Sequence, residues 1–189
     1  MAARRHERTY ARKQAIQVLY QSEILDAAPS ALLQNDASFI DGAKPSQYAM
    51  RLVSGIEEHR DQIDELVGTY AENWSVDRMP SVDRAIMRLA CYEMAYVDEV
   101  PISVSINEAV DLAKEFGGED ESHRFVNGVL GRIAVHLQEQ DGEAAAGEAE
   151  AEAAEAEADG EAEAAGAAET VEPEGVVDGA AEPASEGGR

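Results

Sequence analysis

Cysteine is almost absent from this sequence: Cys91 is the single one in 189 residues, which excludes a disulfide scaffold. No Cys-x-x-Cys pair exists, and His6, His59, His123 and His136 have no partner at ligand spacing, so no metal site is expected. No apolar run approaches the ~20 residues of a membrane-spanning helix. The arginines near the N-terminus are not followed by an apolar signal-peptide segment, so a soluble, cytoplasmic protein without membrane contacts is expected. Glycine-rich phosphate loops ending in Lys-Ser or Lys-Thr are missing, as is a Gly-x-Ser-x-Gly elbow. Cys91 falls mid-helix among Leu89, Ala90 and Met94, a setting for a structural thiol rather than a nucleophile. No catalytic residue and no cofactor are expected.

Aromatics are few and unevenly placed, with all ten at or before Phe125. Charge is equally uneven. Residues 141–189 carry 16 acidic side chains against one basic, Arg189, and 17 alanines. Such a segment has no apolar stripe to offset the entropy of ordering it. Two regions are therefore expected: a helical domain over 1–140 and a disordered Ala/Glu-rich tail over 141–189. An acidic tail that mimics nucleic acid and competes for a basic surface is the alternative use of it.

The first 140 residues show helical periodicity and no sustained strand-like alternation. Ala11, Ala15, Val18, Leu19, Ser22 and Leu25 share one face of a helix from about His6 to Leu25. A short helix capped by Ser30 is expected to reach Phe39, before a loop at Asp41-Gly42 and Pro45. The stretch from Tyr48 to Tyr70 is apolar-periodic, with a break near His59-Arg60 where the spacing skips. Three helices follow. One spans about Ser81 to Val97. The second opens either at Pro101 or at a capping box, Ser105-Ile106-Asn107-Glu108, and ends at Gly117-Gly118. The third spans about Ser122 to Leu137. Six or seven helices with short connections predict a compact all-α domain.

Three features depart from a plain bundle. Glu93 lies within an apolar helix face, between Leu89 and Tyr96, where a bare carboxylate is costly, so it must be paired. A general acid of raised pKa would look the same in sequence, but nothing else points to a pocket or a second group, so a structural contact, for instance with the first turn of a neighbouring helix, is expected. Gly128 and Gly131 sit inside the last helix beside Asn127 and Arg124, where small residues permit close approach by another backbone. Lastly, Arg4, Arg5, Arg8, Arg12 and Lys13 stand against Glu7 alone in the first 13 residues, a basic arm on a chain of net charge −24. Arg5, Arg8 and Arg12 lie within about 60° of helical arc. Such a strip suits phosphate, and guanidiniums also stack on unpaired bases; an ordinary solvated helix face is the plain alternative. Ile16, Tyr20 and Ile24 form a second stripe on the same helix, for burial inside the domain or for a partner.

Several segments form a combined pattern: Arg4-Arg5, Ala15-Ile16-Gln17-Val18-Leu19-Tyr20-Gln21, Asn73-Trp74, Asp83-Arg84-Ala85-Ile86-Met87-Arg88-Leu89-Ala90 with Tyr92-Glu93, Val100-Pro101, Ile106-Asn107-Glu108-Ala109-Val110-Asp111-Leu112-Ala113-Lys114, Phe116-Gly117, and Phe125-Val126-Asn127-Gly128-Val129-Leu130. Taken together they resemble the NusB family of bacterial antitermination factors. The resemblance covers about Arg4 to Val135. It implies about seven helices in two subdomains, three and then four, with no catalysis. It further implies binding of single-stranded boxA RNA of ribosomal RNA operons as a heterodimer with NusE, a ribosomal protein. That assembly would join the RNA polymerase elongation complex with other Nus factors and promote read-through.

The expected RNA-binding residues are Arg4, Arg5, Arg8, Arg12, Lys13, Asn127 and Arg132, and the expected NusE contacts are Tyr20 and Asp83. Gly131 stands where the family often has an acidic residue. Self-association to a homodimer is a further possibility that the family carries. Two other readings remain at this point. One is a non-catalytic protein-binding module without RNA binding. The other is the helical part of an RNA methyltransferase, which would need a cofactor domain that residues 141–189 cannot supply.

Overall fold

The structure, a computed structural model, describes residues 2–34, 44–72, 74–117 and 121–142. The expected tail, the Phe39 helix end, the Asp41-Gly42 loop, Asn73 and Gly118 fall wholly or largely outside them. The described residues form helices and no strand. In chain order these are α1 (Ala2–Leu25), α2 (Pro29–Leu33), α3 (Gln47–Glu58), α4 (Arg60–Tyr70), a single 3-10 turn (Val76–Arg78), α5 (Ser81–Tyr96), α6 (Ile102–Phe116) and α7 (122–142).

Local chemistry explains most of the boundaries. α1 begins four residues before His6 and stops where Asp26 adopts a left-handed conformation, φ 49°, with the Ala27 amide donating to the Ser22 carbonyl at 3.0 Å. Asp is among the few non-glycine residues that visit this region. In α2 Pro29 occupies the first turn and Ala28 the cap, so Ser30 does not cap the helix. Instead the Ser30 amide and hydroxyl donate to Glu57 of α3 at 3.1 and 3.2 Å. Ser46 caps α3 by accepting from the Ala49 amide at 3.2 Å. The break between α3 and α4 falls on His59, whose ring stacks on Tyr96 at 4.1 Å between centroids.

The two possible starts of α6 resolve in favour of the proline. Pro101 holds the cap position, and Ser105 lies one turn inside with a buried hydroxyl that finds no partner. Pro101 excludes the earlier turn from helix, and Glu108 is drawn away from the capping geometry by Arg12. At the other end, Gly128 and Gly131 do not shorten α7, which continues to residue 142.

α1, α2 and α3 pack on one another, and α5 packs against α1, α3, α4 and α6. One apolar core runs through the helices, with Val18, Leu52, Ile56, Ile63, Ile86, Leu89, Leu112, Leu130 and Ile133 almost fully enclosed. Gly55 lets α5 approach α3: a Cβ built there would stand 2.1 Å from the Tyr92 ring. Cys91 is wholly buried, and burial pushes its thiol up to about 12, so thiolate chemistry at this position is disfavoured.

Candidate nucleic-acid interface

The basic arm forms the first turns of α1. The backbone of Arg4 and Arg5 is helical there, while their side chains lie outside the described residues. The arm's other cations diverge. Arg8 is half-buried, with its guanidinium 5.1 Å above the Tyr48 ring of α3 and Nη1 donating to the Glu99 carbonyl at 3.5 Å. Lys13 points to the opposite side of α1, where Nζ meets Glu115 of α6 at 2.6 Å and lies 5.8 Å from the Phe116 ring.

Arg12 does not join them. Its side chain is 2% exposed, and the guanidinium is held inside the domain. Nε donates to both oxygens of Glu93, at 2.9 and 3.1 Å, and Nη1 lies 3.2 Å from Glu108. The Tyr48 hydroxyl donates to Glu93 at 2.5 Å and the Thr9 hydroxyl to Glu108 at 2.8 Å. This corrects the expectation for Arg12. An ion withdrawn from water with two carboxylates facing it cannot turn outward without leaving both of them buried and without a counter-charge. Burial, and then the Glu93 charge, raises the Tyr48 hydroxyl above its ordinary value, so it stays a donor. Glu93 thus has its structural contact, and Tyr48 does lie in the first turn of a neighbouring helix.

Tyr20 is 40% exposed and lines a groove of about 300 Å³ with Tyr10, Lys13, Gln17, Val82 and Phe116. The second stripe of α1 divides: Ile16 is buried, whereas Tyr20 and Ile24 are exposed. Asp83 differs from its expected partner residue. It is buried in the first turn of α5 and accepts a hydrogen bond from the Ser122 hydroxyl at the start of α7. It also borders a separate cleft with Trp74, Pro80, Arg124 and Phe125. Its carboxylate is engaged within the domain, so a partner would meet that cleft rather than a free acid.

On α7, Asn127 is exposed and Arg132 pairs with Glu72 at 2.6 Å, both side chains largely in solvent. A Cβ at Gly128 or Gly131 would meet nothing within 4 Å, so these glycines serve no close approach inside the domain. Two residues beside the arm escaped the sequence reading. Arg51 of α3 and Glu99 in the α5–α6 connection pair at 3.2 Å at the edge of the Arg8 and Tyr48 contact. Their only signal was a lone arginine on the polar side of an amphipathic helix, which is indistinguishable from a solvated charge. Among the described residues, no group of His, Cys, Asp and Glu side chains gathers to hold a metal ion.

Comparison with known proteins agrees with this architecture. A profile described as the NusB family matches residues 9–135. The chain is 42% identical over 133 residues to the transcription antitermination protein NusB of Bacillus subtilis (strain 168), covering 70% of this chain and 98% of that one. It is 46% identical over 129 residues to that of Salinispora arenicola (strain CNS-205), covering 67% and 94%. Among solved structures, T. maritima NusB superposes with a TM-score of 0.60 at 36% identity, over 67% of this chain and 89% of that one. A crystal structure of antitermination factors NusB and NusE in complex with dsRNA matches with a TM-score of 0.60 at 27% identity, over 70% and 98%. With the family profile spanning most of the folded domain and these relatives covered almost end to end, the chain belongs to the NusB family of transcription antitermination proteins.

Proposed function

We propose that this chain binds single-stranded boxA RNA of ribosomal RNA operons as a heterodimer with the ribosomal protein NusE, and that the pair promotes read-through by the RNA polymerase elongation complex with other Nus factors. The work is assembly and not bond chemistry. The observation that carries the reading is α1 itself, with Arg8 opening onto one side near its start and the apolar Tyr20 groove lying along another. A cation on a rigid helix supplies phosphate contacts, and an exposed apolar groove on the same helix supplies a surface for the protein partner. The related complex of NusB and NusE contains both partner classes, with RNA in double-stranded form. Sequence preference in this proposal comes from unpaired bases splayed on the joint surface.

The residues assigned to RNA are Arg4, Arg5, Arg8 and Lys13, with Asn127 and Arg132 on α7. Arg12 is reassigned to holding α1 in place. Tyr20 is assigned to NusE, and Asp83 supports the cleft next to Trp74 and Phe125. A homodimer through the same surfaces would compete with RNA. A cytoplasmic location follows from this function, and no helix among the described residues is long and apolar enough to cross a membrane.

Filter binding of a boxA oligonucleotide, with and without NusE, tests the proposal. Binding that tightens when NusE is added supports it. Binding to NusE without any RNA affinity would favour a protein-binding module instead.

A further inference from the structure

The structure assigns a second phosphate-binding wall to the α3 side of the arm, built from Arg8, Tyr48 and Arg51, with Glu99 occupying the Arg51 guanidinium until RNA arrives. This inference rests on the RNA-binding reading above. A cleft of about 460 Å³ opens between α1 and α3, lined by Glu7, Arg8, Ser46, Gln47, Tyr48 and Arg51. Two guanidiniums therefore reach one cleft from different helices. Arg8 is oriented by the Tyr48 ring beneath it, at 5.1 Å from the centroid, and Tyr48 is itself fixed by its hydrogen bond to the buried Glu93. A guanidinium held this way loses less freedom on meeting a phosphate than a free one would.

Arg51 is held differently, by Glu99 first and by the Tyr92 side chain after it. Its Nη1 donates to both oxygens of Glu99, at 3.2 and 3.4 Å, and the two side chains are 46% and 57% exposed. The Glu99 amide and then Arg51 hold that carboxyl below its ordinary value, so it remains an anion at neutral pH. An exposed ion pair of this kind contributes little to stability and exchanges readily. A phosphodiester, like the Glu99 carboxylate, presents two anionic oxygens to the Arg51 guanidinium. Glu99 thus acts as a stand-in for the RNA backbone in the free protein, and Glu7 at the rim adds a further negative charge that the strand must approach. A wall that reads phosphate carries no base preference of its own.

The test uses the full chain with NusE and a boxA RNA oligonucleotide, titrated at several salt concentrations. Arg51→Ala should weaken binding about three- to tenfold and lower the salt slope by roughly 0.7, the share of one single-strand phosphate. The loss should be equal for boxA and a scrambled oligonucleotide, and Arg51→Lys should restore most of the slope. Glu99→Gln should tighten binding roughly two- to fivefold, the range an exposed pair allows. Asp98→Asn, which removes the same charge one residue away, should give a smaller gain. If Arg8→Ala weakens binding while Arg51→Ala leaves affinity and slope unchanged, the second wall is overturned and the RNA reading stands. Equal gains from Glu99→Gln and Asp98→Asn would reduce Glu99 to a general charge effect and overturn its role. A wild-type chain that ignores boxA in the presence of NusE would retire both proposals.

Discussion

Arg8 and Arg12 lie one turn apart on α1, yet they sit in two unlike regions of the molecule. Around Arg12, Glu93 from α5, Glu108 from α6 and Tyr48 from α3 close over the guanidinium and tie four helices together. Around Arg8 stand Glu7 and the solvent-exposed pair of Arg51 and Glu99, and a cleft remains open. The contrast teaches that charge on a helix face does not decide whether it meets solvent. What decides is the set of acids that neighbouring helices bring opposite it, because a buried ion is tolerated only when its partners are fixed in place.

Removing the closed node should have the largest effect. Arg12→Ala leaves Glu93 and Glu108 buried without their shared counter-charge, and urea denaturation should report a loss of about 3–5 kcal/mol; Glu93→Ala, which leaves Arg12 paired with Glu108, should lose less. Arg8→Ala, which removes a half-buried guanidinium stacked on Tyr48 but no buried ion pair, should cost no more than about 1 kcal/mol. Equal losses from the two arginines would erase the contrast.

A second way to break the domain lies where α3 and α5 touch. Gly55→Ala forces a methyl into the Tyr92 ring and should cost about 1–3 kcal/mol in the same measurement. Tyr92 also stacks toward Tyr96 and His59, so a displaced ring should disturb the α3–α4 junction. Hydrogen exchange at His59 and Arg60 amides would report it.

A second ionic network lies at the far half of α1, where Glu23 receives Arg84 at 2.5 Å and Arg88 at 2.7 Å, and Arg88 reaches Asp64 of α4 at 2.7 Å. Burial raises the Glu23 carboxyl, but the hydrogen bond and charge of Arg84, Ser81 and then Arg88 outweigh it, so the net shift is below the ordinary 4.5. A carboxyl lowered on folding stabilises the native state above its unfolded value, and that contribution is lost as pH falls through the folded one. Melting temperature should therefore fall on acidification below about pH 4.5, and Glu23→Gln should flatten part of that fall. An unchanged profile in Glu23→Gln would remove Glu23 from the acid response. The smallest effect belongs to the exposed pair of Lys13 and Glu115: Lys13→Ala should change stability by about 0–1 kcal/mol.

The fold was legible because apolar spacing survives in every long helix. Leu52, Val53 and Ile56, and then Ile63 and Val67, are the large buried residues of α3 and α4, with the break at His59 where the spacing skips. Local signals misled where two of them competed. Ser30 and Ser105 both match cap chemistry, but each is preceded by a proline that moves the helix start upstream. Gly128 and Gly131 carry a propensity cost that the packing of Val126, Val129, Leu130 and Ile133 overcomes.

The site was legible only in part. Basic residues on α1 could be found by counting charge, but the burial of Arg12 depends on Glu93 and Glu108, 81 and 96 residues away in sequence. Glu93 announced its need for a partner by standing in an apolar face. Nothing in a single helix announced that Arg12 would be the partner, or that Arg51 and Glu99 would close in beside Arg8.

The most direct test of the arm as an RNA-binding surface is boxA affinity in the presence of NusE, measured across salt concentrations for the wild-type chain and for Arg8→Ala. The expected result is a loss of about three- to tenfold and a shallower salt dependence in Arg8→Ala, with a urea midpoint that moves far less than that of Arg12→Ala. Superimposable titrations of the two proteins would contradict it.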